Sequence, residues 1–219
     1  MIRYDDIKKN ADIEAYIRAA DASLEALGYT EHSFAHVGKV SHTAGRILRT
    51  LGCSERDAEL AEIAGYMHDI GNLVNRVAHS QSGAILAFRI LDKLGMDASE
   101  LATVVTAIGN HDEGTGVAVS EVAAALIIAD KADVRRSRVR NADVSTFDIH
   151  DRVNYSVESS ELEIDTEART VRLVLEIDTA ISSIMDYFEI FLQRMTMCRH
   201  AAERLGLSFK LTINSQNFI

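Results

Sequence analysis

The chain holds 219 residues, 47% hydrophobic and 26% charged, with a formal net charge of -10. That length suits one domain, or one domain with a small appendage, and the balance excludes a disordered or collagen-like chain. No apolar run reaches the roughly 18 residues needed to cross a bilayer, so no membrane partner is expected. The start MIRYDDIKKN lacks the basic-then-apolar order of a secretory signal, which makes a cytoplasmic location the expectation. Bulk binding to nucleic acid is disfavoured by the negative charge. Cys53 and Cys198 lie far apart with no CxxC, so any metal must be held by His, Asp and Glu.

Apolar spacing reads as helix through most of the first 140 residues. Ile13, Ile17, Ala20, Leu24 and Leu27 advance by fours and threes, and Gly28 supplies a stop. A second helix carries His36, Val40, Ala44, Ile47 and Leu51 and ends at Gly52. Ser54 with Asp57 resembles a capping box for a third, which runs through Leu60, Ala61 and Ala64 to His68 and is broken at Gly71. Further helices are expected over 81–94, stopped by Gly95, over 99–108, and from Ser120 to about Arg136. The absence of proline suits such helices.

After Asn141 the pattern becomes alternating. Leu162 and Ile164, then Val171, Leu173, Leu175 and Ile177, predict a hairpin turning at 165–169. One long helix is expected over 179–205, and Gly206 introduces a last strand with Phe209, Leu211 and Ile213 on one face. The fold class is therefore mainly α: a helical domain over 1–145 and an α+β (ββαβ) appendage over 146–219. A short sheet has edges to protect, and its helix carries Tyr187, Phe188, Ile190, Phe191 and Met195 for a core or a dimer contact, so a homodimer is expected. The charged connector at 147–152 has no role that its sequence assigns.

Six of the eight histidines, His32, His36, His42, His68, His79 and His111, fall in one stretch of the helical part. His68 and Asp69 are adjacent at a loosening helix end, where both side chains can turn toward one ion while the carboxylate bridges to another.

His36, His68-Asp69 in GYMHDIGN and Asp130 in LIIADKAD resemble, in that order, the motifs of the HD superfamily of metal-dependent phosphohydrolases. HVGKVSHTAGRILRTLG is similar to the family's first motif helix, and AALIIAD to the run that delivers its last aspartate. The resemblance covers residues 30–140 and implies an HD-type helical bundle. It further implies that His36, His68, Asp69 and Asp130 hold one metal, and that Asp69, His79 and His111 hold a second, as in two-metal members such as the HD-GYP proteins. The GYP signature is replaced by Gly114-Thr115-Gly116-Val117 after His111-Asp112-Glu113. Imidazole and carboxylate ligands suit two divalent ions among Fe, Mn, Zn, Co or Ni.

Such a centre implies hydrolysis of a phosphate ester, from a nucleotide or another small phosphorylated metabolite, by metal-bound hydroxide. Asp69, Lys131 and Glu113 are the candidate catalytic residues. KADVRRSRVR over 131–140 is basic enough to read either as a solvated helix end or as a phosphate clamp, with Lys131 and Arg135 one turn apart and Arg76 as a further phosphate ligand. A di-iron oxygenase on a similar ligand set and a non-catalytic sensing module stay open as alternatives.

Overall fold

The computed structural model describes residues 1–219. In chain order the helices are α1 (Tyr4–Lys8), α2 (Ala11–Ala26), α3 (Phe34–Thr50), α4 (Glu55–Met67), α5 (His79–Lys93), α6 (Ala98–Gly109), α7 (Glu121–Lys131), α8 (Ile149–Ser156) and α9 (Ile184–Arg204). The strands are β1 (Val157–Asp165), β2 (Thr170–Ile177), β3 (Ser208–Ile213) and β4 (Gln216–Asn217). Side-chain caps start most of the helices: Asn10 accepts from the Asp12 and Ile13 N–H groups, Ser33 from Ala35, Asp97 from Ser99 and Glu100, and Ser120 from Ala123.

α7 is buried on nearly every side, from Val122 through Ala129, so it forms the axis of the bundle rather than a surface helix. It packs against α3, α4, α6 and α9. Asp130 near its C-terminal end is thereby carried into the interior, next to the ends of α3 and α4.

α7 ends at Lys131, not at the expected Arg136. Ala132 caps it, and the chain then turns so that the Asp133 carboxylate meets His36 and Lys39 while Arg135 becomes extended. α9 likewise starts at Ile184 rather than Thr179, because Ser183 and Asp186 form a reciprocal capping box there. The helices α1 and α8 and the two-residue strand β4 are additions to the elements expected.

The sheet has the order β1-β2-β3-β4. β1 and β2 form the antiparallel hairpin, with Leu162 opposite Leu173, while β3 lies parallel to β2, with Leu211 opposite Leu173, after the crossover through α9. Val171, Leu173, Leu175, Phe209, Leu211 and Ile213 are buried and share one apolar cluster with α3 through α7. Ser160 Oγ also donates to the Ala132 carbonyl at 2.7 Å, and Arg46 to the Leu162 carbonyl at 3.0 Å. The sheet therefore shares a core with the helices and helps set the position of the end of α7.

Candidate metal centre

Helix ends build the site. His36 lies in the first turn of α3, behind the Ser33 cap, and His68 is the C-cap of α4. Asp69 follows and opens a 3-10 turn over Ile70–Leu73. Gly71 must lack a side chain there, since a Cβ would collide with the His79 carbonyl and the Gly83 amide. His79 is the first residue of α5, aimed by Ala78 in the left-handed region at φ 57°. His111 follows the C-cap of α6.

All six expected ligands converge. His68 Nε2 is 3.1 Å from Asp69 Oδ2 and 3.7 Å from Asp130 Oδ1. His36 Nε2 is 3.6 Å from Asp69 Oδ2 and 3.3 Å from Asp130 Oδ1. On the other side His79 Nε2 stands 3.5 Å from Asp69 Oδ1 and 3.1 Å from His111 Nε2. Oδ2 of Asp69 thus faces His36 and His68 and its Oδ1 faces His79, while the His111 ring stands 5.0 Å from the rings of both His68 and His79. His36, His68 and Asp130 form one group close enough to hold an ion, and His68, Asp69 and His111 another.

Each imidazole is oriented by its far nitrogen. His36 Nδ1 meets Asp133 Oδ2 at 2.8 Å, His68 Nδ1 the Gly65 carbonyl at 2.8 Å, His79 Nδ1 the Arg76 carbonyl at 3.1 Å and His111 Nδ1 the Ile108 carbonyl at 2.6 Å. Such bonds leave Nε2 as the inward atom of every ring, the arrangement of metal-ligating histidines. The inward nitrogens of His36 and His68 are buried without a hydrogen-bond partner. An orphaned polar atom in a core is costly, and a cation between these nitrogens and the two aspartates would satisfy both.

The electrostatics agree with that donor set. Burial alone would raise Asp69 and Asp130, but the neighbouring His68, in the first case, and Lys131, in the second, hold both well below the usual carboxylate range. Burial and the adjacent His68 push His111 down to about 3, so its ring is neutral. His68 shows the opposite balance: burial lowers it, yet Asp69 and Asp130 outweigh burial and raise it to about 10. The carboxylates demand positive charge at this spot, and metal binding would displace that proton.

The model of the HD-domain family matches residues 33–174. The chain belongs to the HD-domain family. An uncharacterized protein of Methanocaldococcus jannaschii is 26% identical over 207 residues, covering 84% of this chain and 80% of that protein. A predicted HD superfamily hydrolase from an uncultured Thermotogales bacterium is 27% identical with a TM-score of 0.44, covering 57% of this chain and 67% of its own.

Several groups surround the HD centre. Lys131 is buried, with Nζ 2.6 Å from Asp130 Oδ2 and 3.3 Å from Glu113 Oε1. Glu113 also meets Arg194 Nε at 2.7 Å. Burial opposes its charge, but Lys131 and Arg194 together hold Glu113 down to about 2. Arg76 reaches inward, 3.4 Å from His79 Nε2 and 3.9 Å from Asp69 Oδ1. Arg135 does not share a helix face with Lys131: beyond the end of α7 its guanidinium pairs with Asp133 at 2.7 Å and faces Glu31 at 3.7 Å.

Asp133 is the residue that sequence reasoning passed over. It is wholly buried, accepts from His36, and neutralises Lys39, Arg135 and Arg138. Its signal lay in the run ADKAD, where a second aspartate follows Asp130 by three residues. Asn72 is a second omission: its amide donates to Asp69 Oδ1 at 2.9 Å and restrains that carboxylate.

A cavity of about 460 Å³ opens beside the centre, lined by His32 and Arg76. The His32 ring stands 5.5 Å from that of His36. Phe191 and Arg194 of α9 and Asp148, His150 and Asp151 of the charged connector line the cavity as well.

Proposed function

We propose that the protein is a metal-dependent phosphohydrolase that cleaves a small phosphate ester at a two-metal centre. The observation that carries this reading is the paired set of inward nitrogens around Asp69: His36 and His68 toward Oδ2, His79 toward Oδ1 with His111 beside it. His36, His68, Asp69 and Asp130 would hold one ion, and Asp69, His79 and His111 the other. Divalent ions there would supply an activated water near neutral pH and polarise the phosphoryl oxygens.

The chain's own residues have distinct tasks in this reading. Asp69 would bridge the two ions, and Asn72 restrains its carboxylate by donating to Oδ1. Lys131 and Glu113 act as a buried ion pair that holds Asp130 in place, and Glu113, kept ionised by Lys131 and Arg194, balances the charge of Lys131 beside the centre. Arg76 is the phosphate ligand, because it touches both the centre and the cavity. Arg135, committed to Asp133, supports His36 through that carboxylate.

The test is metal analysis of protein purified without added metal, followed by a screen of phosphate esters with and without oxygen. Phosphate release that depends on the metal and not on oxygen is expected. Oxygen consumption without phosphate release would overturn the hydrolase in favour of an oxygenase.

A further inference from the structure

His79 Nε2 is the hub of a second group of donors. Asp69 Oδ1 lies 3.5 Å from it, His111 Nε2 3.1 Å and Asp112 Oδ1 3.8 Å. Bonds of about 2.0 to 2.2 Å from imidazole or carboxylate to one ion let two donors stand no farther apart than about 4.3 Å, so each of the three is near enough to share an ion with His79.

The two rings add a demand for positive charge. Each uses Nδ1 to meet a carbonyl, that of Arg76 for His79 and that of Ile108 for His111, so both Nδ1 atoms carry the proton and both Nε2 atoms present lone pairs to one another. Arg76 donates to only one of them, His79, at 3.4 Å. Asp112 has the matching deficit. Its carboxylate accepts no hydrogen bond from the chain, its side chain is 25% exposed, and the His79 ring is the one basic group within 4 Å. Glu113, by contrast, is paired with Lys131 and Arg194. A tight turn fixes Asp112 in place: the Gly116 N–H donates to the Asp112 carbonyl at 2.8 Å, and a Cβ on Gly116 would collide with that carbonyl and with Met197 of α9.

Resting on the two-metal reading, we propose that Asp112 is a ligand of the second ion, beside Asp69, His79 and His111. The second ion then has two imidazoles and two carboxylates, the same kind of donor set as His36, His68, Asp69 and Asp130 give the first, with Asp69 shared. His111-Asp112 at the end of α6 repeats what His68-Asp69 does at the end of α4. The added carboxylate hardens the site, which suits Mn(II).

Mn(II) is therefore the probe. Wild-type protein and Asp112→Asn, both stripped of metal, are titrated in competition with a chelator, and anomalous diffraction locates the ions in loaded crystals. An Asp112 oxygen should stand about 2.0 to 2.2 Å from the peak between His79 and His111. Asp112→Asn should weaken the second ion by more than about 100-fold, beyond the 10- to 100-fold typical of a partner that only orients a ligand, while the first ion and the thermal midpoint of the metal-free protein stay as in wild type. A weakening of about 100-fold or less, or a carboxylate more than roughly 3 Å from the peak, overturns the assignment of Asp112 and leaves the two-metal centre intact. Wild-type protein that takes a single Mn(II) at saturation is a different result: the two-metal reading itself then fails, and Asp112 falls with it.

Discussion

Asp133 shows how much of the centre depends on a side chain that touches no ligand position. It orients His36, and it is the shared counter-charge of the buried Arg138 and the half-exposed Lys39. Asp133→Asn preserves shape and removes charge, so metal affinity should fall about 10- to 100-fold in a competition titration, the usual effect of losing a partner that orients a ligating histidine. Unchanged affinity would mean that His36 is held by packing alone. Asp133→Ala should be worse for the fold, at about 3 to 5 kcal/mol in denaturant unfolding, because it removes the oxygens that accept from His36 and Arg135 as well as the counter-charge of buried Arg138. A cysteine gives a contrasting expectation. Burial pushes the Cys198 thiol up to about 12, so it should resist alkylation in the native protein and react only on unfolding. Rapid labelling of Cys198 in the folded state would show that α9 opens away from the core.

At the scale of the element, the site is made from places where helices stop. α4 ends at His68, a 3-10 turn carries Asp69 across, and α5 begins at His79, with Gly71 at the crossing point. Gly71→Ala should therefore cost about 1 to 3 kcal/mol of stability, as overpacking does, and should lower metal affinity as well, since the Cβ would push the His79 carbonyl. Equal stability in thermal unfolding would contradict the close approach described. The helices themselves were legible because each carries its own signals, apolar spacing inside and Ser, Asn, Asp or Gly at its ends. His36, His68, Asp69 and Asp130 were legible for a related reason: they stand in local patterns beside those signals. Asp133 and the cavity were not, since they depend on which distant segments meet. The end of α7 was misplaced by five residues because the interior partners of Asp133, which pull the chain out of the helix, lie near residues 36–39.

At the scale of the molecule, the helices and the sheet share one core, so the segment that follows the bundle also shapes its active face. Gln193 donates to the Glu113 carbonyl at 2.8 Å, and Arg194 holds the Glu113 side chain, so α9 reaches the centre directly. The buried positions Tyr187, Phe191 and Met195 are used inside the chain, whereas Met185 and Leu192 are exposed one above the other on the opposite side of α9. No helix is long and apolar enough to cross a membrane. The homodimer expected from the appendage is checked by sedimentation at micromolar concentration, which should give a dimer; a monomer would reject it.

Asp69 carries the central claim, because it alone faces both sets of imidazoles. Anomalous diffraction from crystals loaded with a single divalent metal is the most direct measurement. Two peaks should flank Asp69, one among His36, His68 and Asp130 and one between His79 and His111, and both should vanish in Asp69→Ala. A single peak in fully loaded wild-type protein, with His79 and His111 turned away from it, would contradict the two-metal centre.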